Sequence, residues 1–241
     1  MAGSMAVNRC IELLAILAAH PSEPMAATEI ANVLGAARGS VVSVCTALEM
    51  GGLLERGADG YRLGRRLAEL GGAYVNSFPE VRSFHEACAR SSIAARELVQ
   101  LVLLDGPQVL VMARHEGKAP LMASGRPGDR LPAVSTAAGR ALLASLPDGD
   151  PRVSRQVKEE LPQIRAKGFA LKARELHPAV TAIAAAVPSE TSSPSFAVSL
   201  SLMGVRLTEE EASAYGRVAQ SIAAQTARSP LRLSGASSRA S

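Results

Sequence analysis

The histidines and cysteines that could bind a metal or serve a catalytic set are few: His20, His85, His115 and His177, with Cys10, Cys45 and Cys88. None pairs with another at ligand spacing, and no Cys-x-x-Cys occurs. No nucleophile elbow, phosphate-cradling glycine loop or dinucleotide fingerprint is present. Arg114-His115-Glu116 could hold a general base, but it closes a strand before a glycine and is expected to be an exposed turn. Neither an enzyme nor a bound cofactor or metal is expected. What the chain does concentrate is cationic: Arg62, Arg65 and Arg66 crowd one short stretch, where they could lie beside a phosphate backbone.

That cluster must be positioned, and residues 28–64 supply the means. Thr28 is expected to cap a helix whose Ile30, Ala31 and Leu34 share a face before Gly35 stops it. A second run follows from Arg38, with Val41, Val44, Cys45 and Leu48 at helical spacing. Gly51-Gly52 ends it. Asp59-Gly60 then sits between two short apolar runs, which predicts a hairpin. Helix, turn, helix and hairpin make a winged helix-turn-helix, a unit that mostly binds DNA. A helix over 7–19, with Leu13, Leu14, Ile16 and Leu17 on its apolar face, precedes it, and His20 closes that helix.

Bulk charge does not carry the argument. The net charge is +4, yet residues 1–66 hold six arginines, no lysine and six acids. With no Trp and 3% aromatic residues, base stacking on aromatic side chains is not the expected mode. At 241 residues and 47% hydrophobic the chain can build two cores. It has no apolar run of membrane-spanning length, no signal-peptide pattern and too few cysteines for a disulfide framework. A cytoplasmic protein is expected.

Beyond the wing, a linker helix over 65–78 leads to strands alternating with helices. Strands are predicted over 98–104, 109–113, 119–124, 169–172, 180–187 and 196–202. Helices are predicted over 81–92, 135–145 and 152–167, the last broken at Pro162, and Thr208 with Glu211 opens a final helix to about 228. The fold class is α+β: an N-terminal winged helix-turn-helix over 5–64, the linker, then an antiparallel sheet flanked by helices over 79–228. A Ser-rich, disordered tail is expected over 229–241.

The motifs T-E-I-A-x-x-L-G, T-A-L-E-x-G-G-L-L and Y-R-L-G-x-x-L-x-x-L-G resemble the IclR-type bacterial transcriptional regulators. So do D-G-x-x-V-L-V, R-L-P-x-x-x-T-A-x-G-R-A-L-L-A, I-R-A-K-G-F-A and I-A-A-x-V further on. The resemblance covers all but the ends. It implies a dimer or tetramer that binds double-stranded DNA, most often as a repressor, and a GAF-like domain that senses a small-molecule effector. The family's second helix opens roughly P-K-S-T-V-H-R-L-L. Here residues 37–45 read A-R-G-S-V-V-S-V-C, leaving Arg38, Ser40 and Ser43 for base edges and Val42 for a thymine methyl. Thr28, Arg62, Arg65 and Arg66 complete the expected DNA contacts. The rival expectation is a sensor whose DNA-binding unit has degenerated.

The resemblance also implies an effector pocket. Ala123, Leu131, Ala137 and Ala138 match its wall and the start of a helix, Lys172 and Ala182 match two further segments, and Ser199 and Ser201 match paired hydroxyls. Alternation puts the two serines on one face and Val198, Leu200 and Leu202 on the other; the serines line a pocket or are simply the solvated face. Lys172 replaces an acid common in the family. Either Phe169 and Leu171 point inward and send Ala170 and Lys172 to solvent, or Lys172 curls over the pocket to meet a carboxylate-bearing ligand.

Overall fold

The computed structural model describes residues 4–118, 125–174, 177–189, 195–203 and 206–227. The chain divides into two compact units, Met1–Ser77 and Phe78–Ser241. In the first, α1 (Met5–Ala19), α2 (Ala27–Val33) and α3 (Arg38–Met50) precede a hairpin of β1 (Leu54–Arg56) and β2 (Tyr61–Leu63), and α4 (Arg66–Asn76) follows. The helical periodicity has a direct outcome: Leu13, Leu17, Ile30, Val41, Cys45 and Leu48 close one core with Leu54 and Tyr61. Gly60, at φ 138, lies where a Cβ would come 2.4 Å from the Met25 carbonyl oxygen. That close approach lets Met25 and Tyr61 exchange two 2.9 Å backbone hydrogen bonds and ties the hairpin to the chain entering α2.

Thr28 is not the cap of α2. The helix begins at Ala27 with Ala26 as its N-cap, and Thr28 is an exposed first-turn residue. Ala26 has no side-chain acceptor, so Glu29 orders this end alone: its carboxylate accepts from the Ala26 N–H at 2.7 Å.

The second unit is a six-stranded antiparallel sheet in the order β5-β4-β3-β8-β7-β6. Its strands are β3 (Leu98–Asp105), β4 (Gln108–His115), β5 (Arg130–Pro132), β6 (Ala170–Ala173), β7 (Val180–Ala186) and β8 (Phe196–Met203). One face packs on α6 (Ala137–Ser145), which is backed by α7 (Arg155–Lys158) and α8 (Leu161–Lys167). The other packs on α5 (Pro79–Ala89) and α9 (Glu209–Thr226). Coverage on both faces is why β3 and β8 are almost continuously buried instead of alternating.

Thr208 and Glu211 form the reciprocal cap of α9, and Pro162 sits in the first turn of α8, where its missing N–H costs nothing. Strand β5 has no counterpart in the sequence reading. Its three residues end in proline, so neither length nor alternation betrays it, and only pairing with β4 makes it a strand. The strand expected over 119–124 and the tail over 229–241 lie outside the described residues.

Candidate DNA-binding face and effector cavity

Helix α3 buries Val41, Cys45 and Leu48, which turns Arg38, Gly39, Val42, Ser43 and Thr46 outward; Ser40 is half-buried. Two hydroxyls on that face already donate to their own helix, Ser43 to the Gly39 carbonyl at 3.1 Å and Thr46 to that of Val42 at 2.9 Å. A Cβ at Gly39 would meet nothing within 4 Å, so nothing among the described residues requires a glycine in this first turn. Burial pushes the Cys45 thiol up, with Glu49 and Cys10 adding to the shift, so Cys45 is a core thiol.

At the wing the arginine cluster divides. Arg62, on β2, pairs across the hairpin with Glu55 at 3.1 Å, and Arg65 reaches the same carboxylate at 3.3 Å. Their hydrogen bonds hold the Glu55 carboxyl below its usual range. Arg66 has no ion-pair partner among the described residues. Arg56, not singled out by the sequence, lies 5.7 Å from the centre of the Tyr61 ring and is exposed.

In the sheet unit a narrow cavity lies between α6 and the β3–β4–β8 part of the sheet. Its polar lining is Gln100, Thr136, Ser199 and Ser201; Val102, Val109, Val111, Leu131, Ala138 and Val180 supply the rest. The clear space is about 10 Å³, the room of one water molecule. Both serines are 4% exposed, so they are not a solvated face. Neither hydroxyl has a hydrogen-bond partner among the described residues, although unpaired buried polar groups are costly. The Gln100 amide donates to the Gly125 carbonyl at 2.6 Å, and Thr136 caps α6 by accepting from the Gly139 N–H at 3.0 Å.

Of the residues matched to an effector pocket, Leu131, Ala138, Ser199 and Ser201 come together here. Ala137 and Ala182 are core residues beside the cavity and do not line it; Ala123 lies outside the described residues. Lys172 does not line it either, but the outward alternation fails. Ala170 is 1% exposed under α6 while Leu171 is 41% exposed, so Lys172 shares the α6 face, in one cross-strand row with Ala182 and Ser201. The reason is the double coverage: Phe169 packs toward Gly216 of α9, and "inward" exists on both sides of the sheet.

The exposed turn at Arg114-His115-Glu116 is also corrected. Arg114 and His115 are half-buried residues of β4, and Arg114 stands directly opposite Gln100, its Nε 2.9 Å from Glu116 Oε1. Sequence reading missed Gln100, Thr136 and Arg114. Gln100 could have been found, as the one polar residue in an apolar run over 98–104.

Comparison with known proteins decides the family. The family described as Bacterial transcriptional regulator IclR C-terminal matches residues 73–228, and the IclR helix-turn-helix domain matches residues 6–58. The chain belongs to the IclR family. These proteins are transcriptional regulators that bind DNA. HTH-type transcriptional regulator XynR of Escherichia coli K12 is 26% identical to this IclR-family chain over 224 residues, 85% of this chain and 88% of XynR. Thermotoga maritima IclR superposes with a TM-score of 0.71 at 23% identity, covering 92% of this chain and 97% of that one. An IclR homologue from Microbacterium hydrocarbonoxydans complexed with 4-hydroxybenzoate gives 0.72 at 22% identity, with the same coverage. Both structural likenesses speak to the fold.

Proposed function

We propose that this IclR-family regulator is a repressor whose hold on an inverted-repeat operator is modulated by a small carboxylate-bearing metabolite bound in the cavity between α6 and the sheet. One observation carries the ligand half: Ser199 and Ser201 turn unsatisfied hydroxyls into an otherwise apolar space beside Gln100. Binding opens the cavity, because its present volume admits no metabolite. The carboxylate would take hydroxyl donors at one end, with Arg114 or Lys172 supplying charge from the rim. Arg114 is the better placed of the two, one residue pair from the lining.

The DNA half rests on α3 and the wing, with Arg38, Ser40, Val42 and Ser43 toward base edges and Arg62, Arg65 and Arg66 toward phosphates. Helix α4 buries none of its residues, and its Leu70 and Tyr74 are 52% and 48% exposed, so we assign it to contact with a second copy. Two wings then read half-sites about 34 Å apart. The test is fluorescence anisotropy with DNA flanking the protein's own gene, against random DNA, with 4-hydroxybenzoate and other small carboxylic acids added. Preference for the flanking DNA, relieved by one of the acids, is expected. Equal binding of both DNAs at moderate salt would overturn the regulator reading and favour a sensor with a degenerate DNA-binding unit.

A further inference from the structure

We infer that Glu55 is a built-in stand-in for a DNA phosphate, occupying the anion site formed by Arg62 and Arg65 until the wing is seated on DNA. This rests on the DNA-binding reading and adds to it a residue that sets how strongly the wing holds the backbone.

The geometry is that of an anion site already filled. Arg62 donates through Nε at 3.3 Å and a terminal nitrogen at 3.1 Å, both to Glu55 Oε2. Arg65 donates through Nε at 3.3 Å to the other oxygen. Two guanidiniums thus converge on one monoanion, one on each oxygen, as they would on the two free oxygens of a phosphodiester. The arginine side chains are 60% and 88% exposed, so a phosphate can approach without rearranging the core. Glu55 is fixed opposite Arg62 by the hairpin register, so the contact is a property of the wing's fold.

The consequence is electrostatic. With Glu55 in place the three side chains carry a net charge of +1, and residues 1–66 as a whole are neutral. Sequence-independent DNA binding is a matter of phosphates neutralised and counterions released. An internal carboxylate competes for both arginines, and the pairs are exposed enough to exchange. Arg66, one residue on and without an ion-pair partner among the described residues, stays available throughout. Non-specific DNA therefore meets a wing that is partly self-neutralised, which leaves more of the binding to the α3 face.

The experiment uses the full-length protein and a fluorescent random-sequence duplex titrated over a range of salt concentrations. Glu55→Gln keeps an acceptor oxygen but removes the charge. It is expected to bind about three- to tenfold tighter, with a salt dependence steeper by about one phosphate contact. In an Arg62→Ala, Arg65→Ala background the same change should shift affinity by less than about twofold. Melting curves confirm that the variants are folded, and Glu55→Asp serves as a second variant that keeps the charge on a shorter arm. If wild type binds and Glu55→Gln is no tighter, or gains equally without the two arginines, the inference is wrong and the DNA reading stands. If neither protein binds DNA at any salt, both are wrong.

Discussion

The two units keep their chemistry in opposite places. In the winged unit the groups of interest are charged and exposed, and they rest on a closed core formed by α1, α2, α3 and the hairpin. In the sheet unit they are neutral and buried, and they sit inside the core itself: Gln100, Thr136, Ser199 and Ser201 are all under 8% exposed. An exposed arginine can be changed at little cost to folding, because water solvates whatever replaces it. A buried hydroxyl without a partner is a standing cost until a water or a ligand supplies one. Under the proposed function, function and stability are thus separable in the first unit and opposed in the second.

The largest expected effect tests whether both cores are closed to the same degree. Leu142→Ala on α6 and Leu13→Ala on α1, both fully buried, should each cost ~2–5 kcal/mol in denaturant titrations. A cost under about 1 kcal/mol for Leu142→Ala would mean that the cavity region is loosely packed, and the contrast between the units would lose its footing. Next in size is the opposition between function and stability. Ser199→Ala should weaken the best carboxylic acid by ~1–3 kcal/mol in calorimetry while leaving the melting temperature unchanged or higher. A variant that melts lower and binds as well would make Ser199 structural.

Smaller effects are expected at the wing. Arg66→Ala should reduce the salt dependence of DNA binding by about one phosphate contact, evenly across sequences, with stability within ~0.5 kcal/mol of wild type. Smallest is Gly39→Ala on α3. With open space where the methyl would go, it should stabilise the winged unit by up to about 1 kcal/mol. If the same change weakens operator binding, Gly39 is there for close approach of the DNA.

How far the sequence could be read follows the range of the interactions involved. The α3 periodicity, the Asp59-Gly60 hairpin and the Thr208–Glu211 cap are local, and each stands in the structure where its residues place it. The start of α2 was misread because Thr28 has the chemistry of a cap and Ala26 has none, yet Glu29 orders the end from inside the helix. Strand β5 and the burial of Ala170 depend on partners far along the chain, which single-segment alternation cannot supply. The cavity was half legible. Ser199 and Ser201 could be placed by resemblance and by alternation, and Gln100 stands out as the one polar residue of an apolar run, whereas Arg114 needed the pairing of β3 with β4.

That pairing contains one irregularity. Leu101 faces Ala113 and Val102 faces Val111, so Met112 is passed over between them. A strand keeps two-beat time, and a skipped beat reverses everything after it. Val109 and Val111 sit on the cavity side, and it is the extra beat that brings Arg114 to that side next, three positions on instead of two. Were Met112 paired in regular register instead, Ala113 would stand opposite Gln100 and Arg114, opposite Val99, would turn to the other face of the sheet. Whether a cation stands beside the cavity is therefore set by one bulged residue that contributes no side chain to the lining.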